Sequence, residues 1–176
     1  SSSTLGVFIN ILDETASGGD AEGDTFANME NIIGGSGADS LTGNKADNFF
    51  IGGGGADTIT GDDGDDTVSY ANSGAGVLAN LATGFGSGGD AAGDILAGIQ
   101  NLIGSKFNDT LTGEQGMTNL LYGGSGNDQL NGGSGVDTLY GGTGNDFFIV
   151  DSTLVSGPSG ATVVLDSIVE LSGEGT

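Results

Sequence analysis

The chain has 176 residues, 38 of them glycine and one proline, and its 24 acidic residues against two basic ones give a formal net charge of −22. This charge argues against partners such as nucleic acid or anionic membranes. The absence of cysteine and histidine excludes disulfides, zinc–histidine sites and Ser–His or Cys–His catalytic pairs within the chain. No apolar run is long enough to insert into a membrane as a spanning helix.

The first predicted element is a strand in the apolar segment 7–12 (VFINIL). A loop rich in glycine and aspartate follows, with two acids close together at Asp20 and Asp24, and the same loop returns with Asp90 and Asp94. Two interpretations stay open. The loop is either a cation-binding turn or a polar loop in which aspartate side chains hydrogen-bond their own backbone.

Most of the remaining chain is built from segments of nine residues. The run 123–149 reads GGSGNDQLN, GGSGVDTLY and GGTGNDFFI, with glycine at places 1, 2 and 4, an acid at place 6 and an apolar residue at place 8. The frame also fits 34–42 and 52–60, and looser copies occupy 43–51, 61–69 and 104–112. A fixed short period predicts a repeat architecture.

Nine residues suit a six-residue turn followed by a three-residue strand. Glycine supplies the turn with backbone conformations that other residues rarely adopt. The pattern at places 7 to 9 points one side chain per strand inward, because side chains alternate along a strand. The predicted inward residues are Leu41, Phe50, Ile59, Val68, Leu111, Leu130, Leu139 and Phe148. Two segments then complete one coil, so turns on the same side recur at every second segment.

The place-6 acids would then form columns, with one carboxylate in each layer. An ion midway between strands about 4.8 Å apart lies about 2.4 Å from each layer, within the roughly 2.3–2.6 Å of calcium–oxygen bonds. Magnesium requires about 2.0–2.1 Å and retains its water, so the spacing favours calcium.

The repeated motif GGxGxDxUx resembles the RTX, or hemolysin-type, calcium-binding nonapeptide. The resemblance implies an all-β fold, a right-handed parallel β-roll with calcium ions, four to eight here, between consecutive turns on one side. The candidate metal ligands, in or beside these turns and the two loops, are Asp20, Asp24, Gly34, Gly35, Ser36, Gly37, Asp39, Asn48, Gly52, Gly53, Gly55, Asp57, Gly61, Asp63, Asp66, Asp90, Asp94, Asp109, Gly123, Gly124, Ser125, Gly126, Asp128, Gly132, Gly133, Ser134, Gly135, Asp137, Gly141, Gly142, Thr143, Gly144 and Asp146.

Two similar units follow one another, since the sequence from Gly18 onwards matches the sequence from Gly88 onwards. We predict a first unit at 1–69, a second at 70–149 and truncated capping strands at 150–176. Alternating apolar residues at 77, 79 and 81 indicate that 69–84 continues the roll with one longer excursion. Segment 113–122 is one residue longer than a nonapeptide, and an insertion in its turn would put Asn119 at place 6 and Leu121 inward.

We expect a calcium-binding module rather than an enzyme. Acid pairs such as Asp62/Asp63 and Asp65/Asp66 have no histidine, cysteine or arginine to assist catalysis. The resemblance implies a secreted bacterial protein that leaves the cell by type I secretion and folds in extracellular calcium. The parent would be an adhesin, surface-layer protein, toxin or exoenzyme, and the module a monomeric part of that larger polypeptide, outside the cell or on its surface. Alternatives are the C-terminal module of a secreted hydrolase or epimerase, and an ice-binding or surface-binding solenoid.

Overall fold

The computed structural model describes residues 4–150, 154–157, 160–163 and 167–169, and strands dominate it. Short 3₁₀ helices occupy Gly19–Ala21 and Gly89–Ala91. The strands are β1 Phe8–Asn10, β2 Thr15–Ser17, β3 Asn31–Ile33, β4 Ser40–Thr42, β5 Phe49–Ile51, β6 Thr58–Thr60, β7 Thr67–Ser69, β8 Leu78–Asn80, β9 Phe85–Ser87, β10 Ile95–Ala97, β11 Asn101–Ile103, β12 Thr110–Thr112, β13 Leu120–Ser125, β14 Gln129–Asn131, β15 Thr138–Thr143, β16 Phe147–Ile149, β17 Leu154–Gly157, β18 Gly160–Val163 and β19 Ser167–Val169.

Successive strands of the nonapeptide runs alternate between two sheets. Sheet I has the order β16-β14-β12-β8-β9-β10-β6-β4-β1-β2, and sheet II the order β19-β15-β13-β11-β7-β5-β3. Pairing between nonapeptide strands is parallel in both sheets. This arrangement confirms the predicted all-β, parallel β-roll, in which two nonapeptides form one coil.

The strand register follows the predicted period. Leu41 lies opposite Ile59, and Leu121 lies opposite Leu139, in both cases two nonapeptides further along the chain. The spacing is one residue longer where β12 pairs β14, because residues 113–122 contain the inserted residue. The insertion lies in the turn, as predicted, and leaves the inward positions aligned.

The core is a row of single apolar side chains between the two sheets. Seven of the eight predicted inward residues are fully buried, and Phe148 is partly buried against them. Leu121 is buried as predicted. Full burial of such a side chain contributes about 1.5–3 kcal/mol, so each strand of the run adds one modest hydrophobic contribution.

The excursion between the two units widens sheet I. Strand β8 pairs antiparallel with β9, and β9 pairs antiparallel with β10. Strand β10 pairs parallel with β6 of the first unit, and β8 pairs parallel with β12 of the second unit. In sheet II, β7 pairs directly with β11. Val77, Ala79 and Leu81 are buried, in agreement with the predicted continuation of the roll.

The two ends of the chain differ from the nonapeptide runs. The strand predicted at 7–12 is shorter, Phe8–Asn10, and it pairs antiparallel with β2 and parallel with β4. Of the predicted capping strands, β19 pairs parallel with β15, and β17 pairs with β18. Residues 151–153, 158–159, 164–166 and 170–176 of that segment lie outside the described residues. The described part contains no helix with the length and apolar character needed to cross a membrane.

Two adjacent leucines on β13 test the single inward row. Leu121 is fully buried, and Leu120 is 43% exposed on the same strand. We expect Leu121→Ala to lower the free energy of unfolding by about 2–5 kcal/mol, because it leaves a cavity. Leu120→Ala, the matched control, should change it by less than about 1 kcal/mol. Urea unfolding in saturating calcium measures both, and equal losses would contradict the assigned core.

Candidate calcium sites

The place-6 residues of the nonapeptides stand in two columns, one along each side of the roll. The first column lies in the turns that lead into sheet I, and the second lies in the turns that lead into sheet II. The first column contains Asp39, Asp57, Asp94, Asp109, Asp128 and Asp146, and the second contains Asn48, Asp66, Gln100, Asn119 and Asp137. All of these except Asp146 and Gln100 are buried.

Hydrogen bonds tie neighbouring layers together along each column, and the N–H of Val77 donates to Oδ1 of Asp109 where the excursion interrupts the first column. The backbone N–H of Asp39 donates to Oδ1 of Asp57 at 2.8 Å, and that of Asp109 donates to Oδ1 of Asp128 at 2.8 Å. In the second column the N–H of Asn48 donates to Oδ1 of Asp66 at 2.8 Å. One carboxylate oxygen therefore fixes the neighbouring turn and leaves the other, Oδ2, directed into its own turn.

Several of these second oxygens are buried and have no hydrogen-bond donor. They include the Oδ2 atoms of Asp57, Asp66, Asp128 and Asp146. A buried charged oxygen without a partner is costly, and a cation removes that cost. These orphaned oxygens are the feature of the structure that fits a metal ion.

Backbone carbonyls supply the remaining oxygens. A β-carbon built on Gly123 would collide with Oδ2 of Asp128 and lie 2.6 Å from the carbonyl oxygen of Gly141 in the next layer. A carboxylate and a carbonyl from adjacent layers thus converge above the place-1 glycine. Further convergent pairs are Asp39 with the carbonyl of Gly52, Asp66 with that of Gly98, and Asp109 with that of Gly123.

The donor set is made of oxygen atoms alone, which suits a hard cation such as calcium. Among the described residues, no group of three or more acidic side chains could hold a metal without help. The candidate sites therefore depend on one carboxylate per layer together with carbonyls. Glycine at place 4 allows the close stacking, since Gly55 has φ +131° and faces the carbonyl of Gly37 in the previous layer.

Burial raises the pKa of three of the orphaned carboxylates. Desolvation raises the pKa of Asp57 to about 7, against the lowering effect of the hydrogen bond from the Asp39 N–H. Desolvation likewise raises the pKa of Asp66 to about 6 and that of Asp128 to about 7. Neighbouring acids add to each rise. Without a cation, these three carboxyl groups therefore bind a proton at higher pH than an exposed aspartate does.

Some predicted ligands are already satisfied by the protein. The amide oxygen of Asn48 accepts from Asn44 N–H at 2.7 Å, and that of Asn119 accepts from Glu114 N–H at 2.9 Å. Oδ2 of Asp39 accepts from Gly35 N–H at 2.6 Å. These oxygens could still contact a cation, but they do not require one.

Other predicted ligands lie away from the columns. Asp63 is exposed and forms an ion pair with Lys45 at 3.7 Å. Asp20 and Asp90 lie in the two 3₁₀ helices, and the N–H of Asp90 donates to Oγ of Ser73 at 3.0 Å. The structure does not place these acids at place-6 positions, and Asp90 affects the column only by adding, after desolvation, to the raised pKa of Asp94 and Asp57.

The two loop aspartates at Asp24 and Asp94 differ in their surroundings. Asp24 is exposed, whereas Asp94 is fully buried in the first column. Oδ1 of Asp94 accepts from Asp57 N–H at 2.9 Å, and Oδ2 accepts from the hydroxyl of Tyr70 at 2.9 Å. Both oxygens of Asp94 therefore have protein donors, in contrast to those of Asp57.

Sequence reasoning missed two members of this arrangement. Gln100 occupies a place-6 position, and its Oε1 accepts from Asp66 N–H at 2.8 Å. A polar residue directly before the strand Asn101–Ile103 was the available signal for it. Tyr70 gave no comparable signal, because its contact with Asp94 joins parts of the chain that lie in no common repeat.

Comparison with known families agrees with this geometry. The family model described as RTX calcium-binding nonapeptide repeat (4 copies) matches residues 30–69, 94–116 and 117–148, more than half of the chain. The matched ranges contain both place-6 columns and leave out the excursion at 70–93. The comparison with curated proteins found no match.

Two adjacent aspartates test the role of place 6. Asp66 is buried with an orphaned Oδ2, and Asp65 is exposed beside it. We expect Asp66→Asn to weaken calcium binding at its turn about tenfold, equivalent to ~1.4 kcal/mol, because it removes the buried charge. Asp65→Asn makes the same change in net charge and should leave the affinity nearly unaltered. Calorimetric titration with calcium compares them, and similar losses for both would refute a place-6 role.

The raised pKa values predict opposite responses to acid with and without calcium. The pKa of Asp57 is about 7 in the folded chain against an ordinary value of 3.8, so the folded state binds protons that the unfolded state does not. In calcium-free buffer, lowering the pH from 8 to 5 should therefore stabilise the roll. In calcium the same change should destabilise it, because protons compete with the ion. Circular dichroism at each pH measures the folded fraction, and parallel responses would contradict the assignment.

Proposed function

The chain belongs to the family of RTX calcium-binding nonapeptide repeat proteins, and we propose that it is a module that folds on binding calcium outside the cell. Its calcium-binding roll is a property of the family. We propose both the condition under which the roll folds and the kind of larger protein that it serves. The observation that carries it is the set of buried carboxylate oxygens without donors in a chain of net charge −22.

Those oxygens couple folding to the ion. In the absence of a cation, folding would desolvate Asp57, Asp66 and Asp128 and bring each of them close to other acids that repel it. Calcium between the layers would neutralise them, so that its binding free energy becomes folding free energy. Extracellular calcium modules bind at roughly 10⁻⁴–10⁻³ M. The chain would then remain unfolded at cytosolic calcium levels and fold after export.

The ions would sit between consecutive turns of each column. Four layer pairs combine a carboxylate with a carbonyl of the next layer, at Asp39, Asp66, Asp109 and Asp128. Two further pairs combine an amide oxygen, of Asn48 or Asn119, with a carbonyl. This geometry supports the expected range of four to eight ions, with the carboxylate turns as the stronger sites.

The module would serve a larger polypeptide rather than catalyse a reaction. RTX repeat proteins are typically exported by type I secretion. A chain that stays unfolded at low calcium is suited to this export. The RTX repeat is a structural family and not a catalytic one, and Asp62 and Asp63, the acid pair in one of its turns, are exposed. We therefore propose a structural, secretion-assisting part of an adhesin, surface-layer protein, toxin or exoenzyme.

The surface of sheet I gives little support to ice binding. Thr42 lies opposite Thr60, but Asn10 and Ala97 flank that pair. Thr112 lies between two asparagines. A flat threonine array would need a longer rank.

Far-UV circular dichroism during a calcium titration, with magnesium as the matched control, tests the proposal. We expect a disordered spectrum in calcium-free buffer at neutral pH. It should change cooperatively to β structure at sub-millimolar to millimolar calcium and change little with magnesium. A β spectrum of full amplitude without calcium would show that the core alone holds the roll, and the proposed folding outside the cell would be wrong.

A further inference from the structure

The N-terminal edge of the roll has a counterpart in the second unit. The N-terminal edge is open, whereas its counterpart is covered by another coil. Residues 24–35 of the first unit match residues 94–105 of the second. In the second unit this edge receives the last coil of the first unit, β6 and β7. In the first unit, none of the described residues occupies the equivalent place.

The covered edge shows how a coil docks there. Ile95 N–H donates to the carbonyl of Asp57 at 2.8 Å, and Asn101 N–H donates to that of Asp66 at 2.9 Å. In return, Asp57 N–H donates to Oδ1 of Asp94. Backbone pairing in both sheets and the place-6 ladder of the first column thus continue across the boundary between the units.

The exposed edge shares the turn conformations of the covered one. Asn28 has φ 54° where Gly98 has φ 62°, and Glu14 has φ 55° where Gly84 has φ 74°. Positive φ is uncommon for residues other than glycine. The first unit nevertheless adopts it at both positions, so the turns that flank the edge are already formed. Residues 25–27 are not a strand, unlike their counterparts in β10, and docking would extend them.

The side chains of this edge are exposed where their counterparts are covered. Asp24 is exposed and Asp94 is fully buried. Ile33 is 68% exposed, whereas its counterpart Ile103 is only partly exposed. A cavity of about 190 Å³ opens at this end, lined by Val7, Ile9, Asp20, Ala21, Asp24 and Ile33 among others.

We propose that this edge is the docking surface for a coil of two calcium-binding nonapeptides joined to the N-terminal side of the chain. The incoming strands pair with residues 25–27 and with the open edge of β3, as β6 and β7 pair with β10 and β11. Asp24 accepts the N–H of the incoming place-6 residue. A tyrosine following the coil, like Tyr70, donates to the other oxygen of Asp24.

The chain itself supplies the occupant for a test. A copy of residues 34–73, which contains the coil and Tyr70, is fused directly before Thr4 in the full chain. Residue 73 then takes the position of residue 3, its counterpart in the alignment of the two units. The extended and original chains are compared in saturating calcium by amide hydrogen exchange, which reports backbone hydrogen bonds site by site.

We expect the amides of Thr25 and Asn31 to exchange at least about tenfold more slowly in the extended chain, because they gain carbonyl acceptors. Their counterparts, Ile95 and Asn101, should be protected in both chains and serve as internal controls. Unchanged exchange at Thr25 and Asn31 beside protected controls would overturn the docking surface. The inference rests on the calcium-folded roll, so unprotected controls would refute it together with the proposed function.

Substitutions of the two loop aspartates give a second readout. Asp24→Ala should lower Tm by about 3 °C in the extended chain and leave that of the original chain unchanged. Asp94→Ala, the matched control, should lower Tm in both.

Protection of Thr25 in the original chain that disappears on dilution would overturn the proposal, because a second copy would then occupy the edge.

Discussion

The buried place-6 carboxylate is the constraint on which this roll depends. Its first oxygen accepts the backbone N–H of the preceding layer, as Oδ1 of Asp57 does from Asp39. Its second oxygen, directed into its own turn, has no donor at Asp57 or Asp128. One residue thereby sets the register between layers and creates the need for a cation. At these positions the stacking and the demand for a cation are consequences of the same side chain.

The columns are not acidic throughout, and the exceptions show what replaces the ion. Gln100 occupies a place-6 position as a neutral amide and still accepts the N–H of Asp66. Asp94 retains its carboxyl group, but the hydroxyl of Tyr70 donates to the oxygen that lacks a donor in Asp57. These two exceptions lie where the two units meet, whereas Asn48 and Asn119 are neutral members of the regular runs. At the junction protein hydrogen bonds satisfy both oxygens of Asp94, whereas Asp57, Asp66 and Asp128 in the regular runs each keep one oxygen without a donor.

The sequence predicts the regular runs well, because period and side-chain direction are local properties. Places 7 to 9 form the strands, and even the inserted residue near Met117 lies in a turn, as its segment predicts. The sequence predicts the excursion only in outline. Nothing in it indicates that β9 is inserted between β8 and β10 while β7 meets β11 directly. That arrangement depends on contacts between distant segments, such as Tyr70 with Asp94, which no repeat records.

Asp24 and Asp94 show why the same sequence can lead to different chemistry in one chain. The loops around them match closely in sequence and share their backbone conformation. Only Asp94 is buried, because a coil of the first unit covers it. The burial of an acid is therefore a property of the stack and not of the local segment. In a solenoid each layer contacts only its neighbours. Each added coil therefore supplies N–H donors to the place-6 oxygens of the next coil and keeps the strands of the two coils in register.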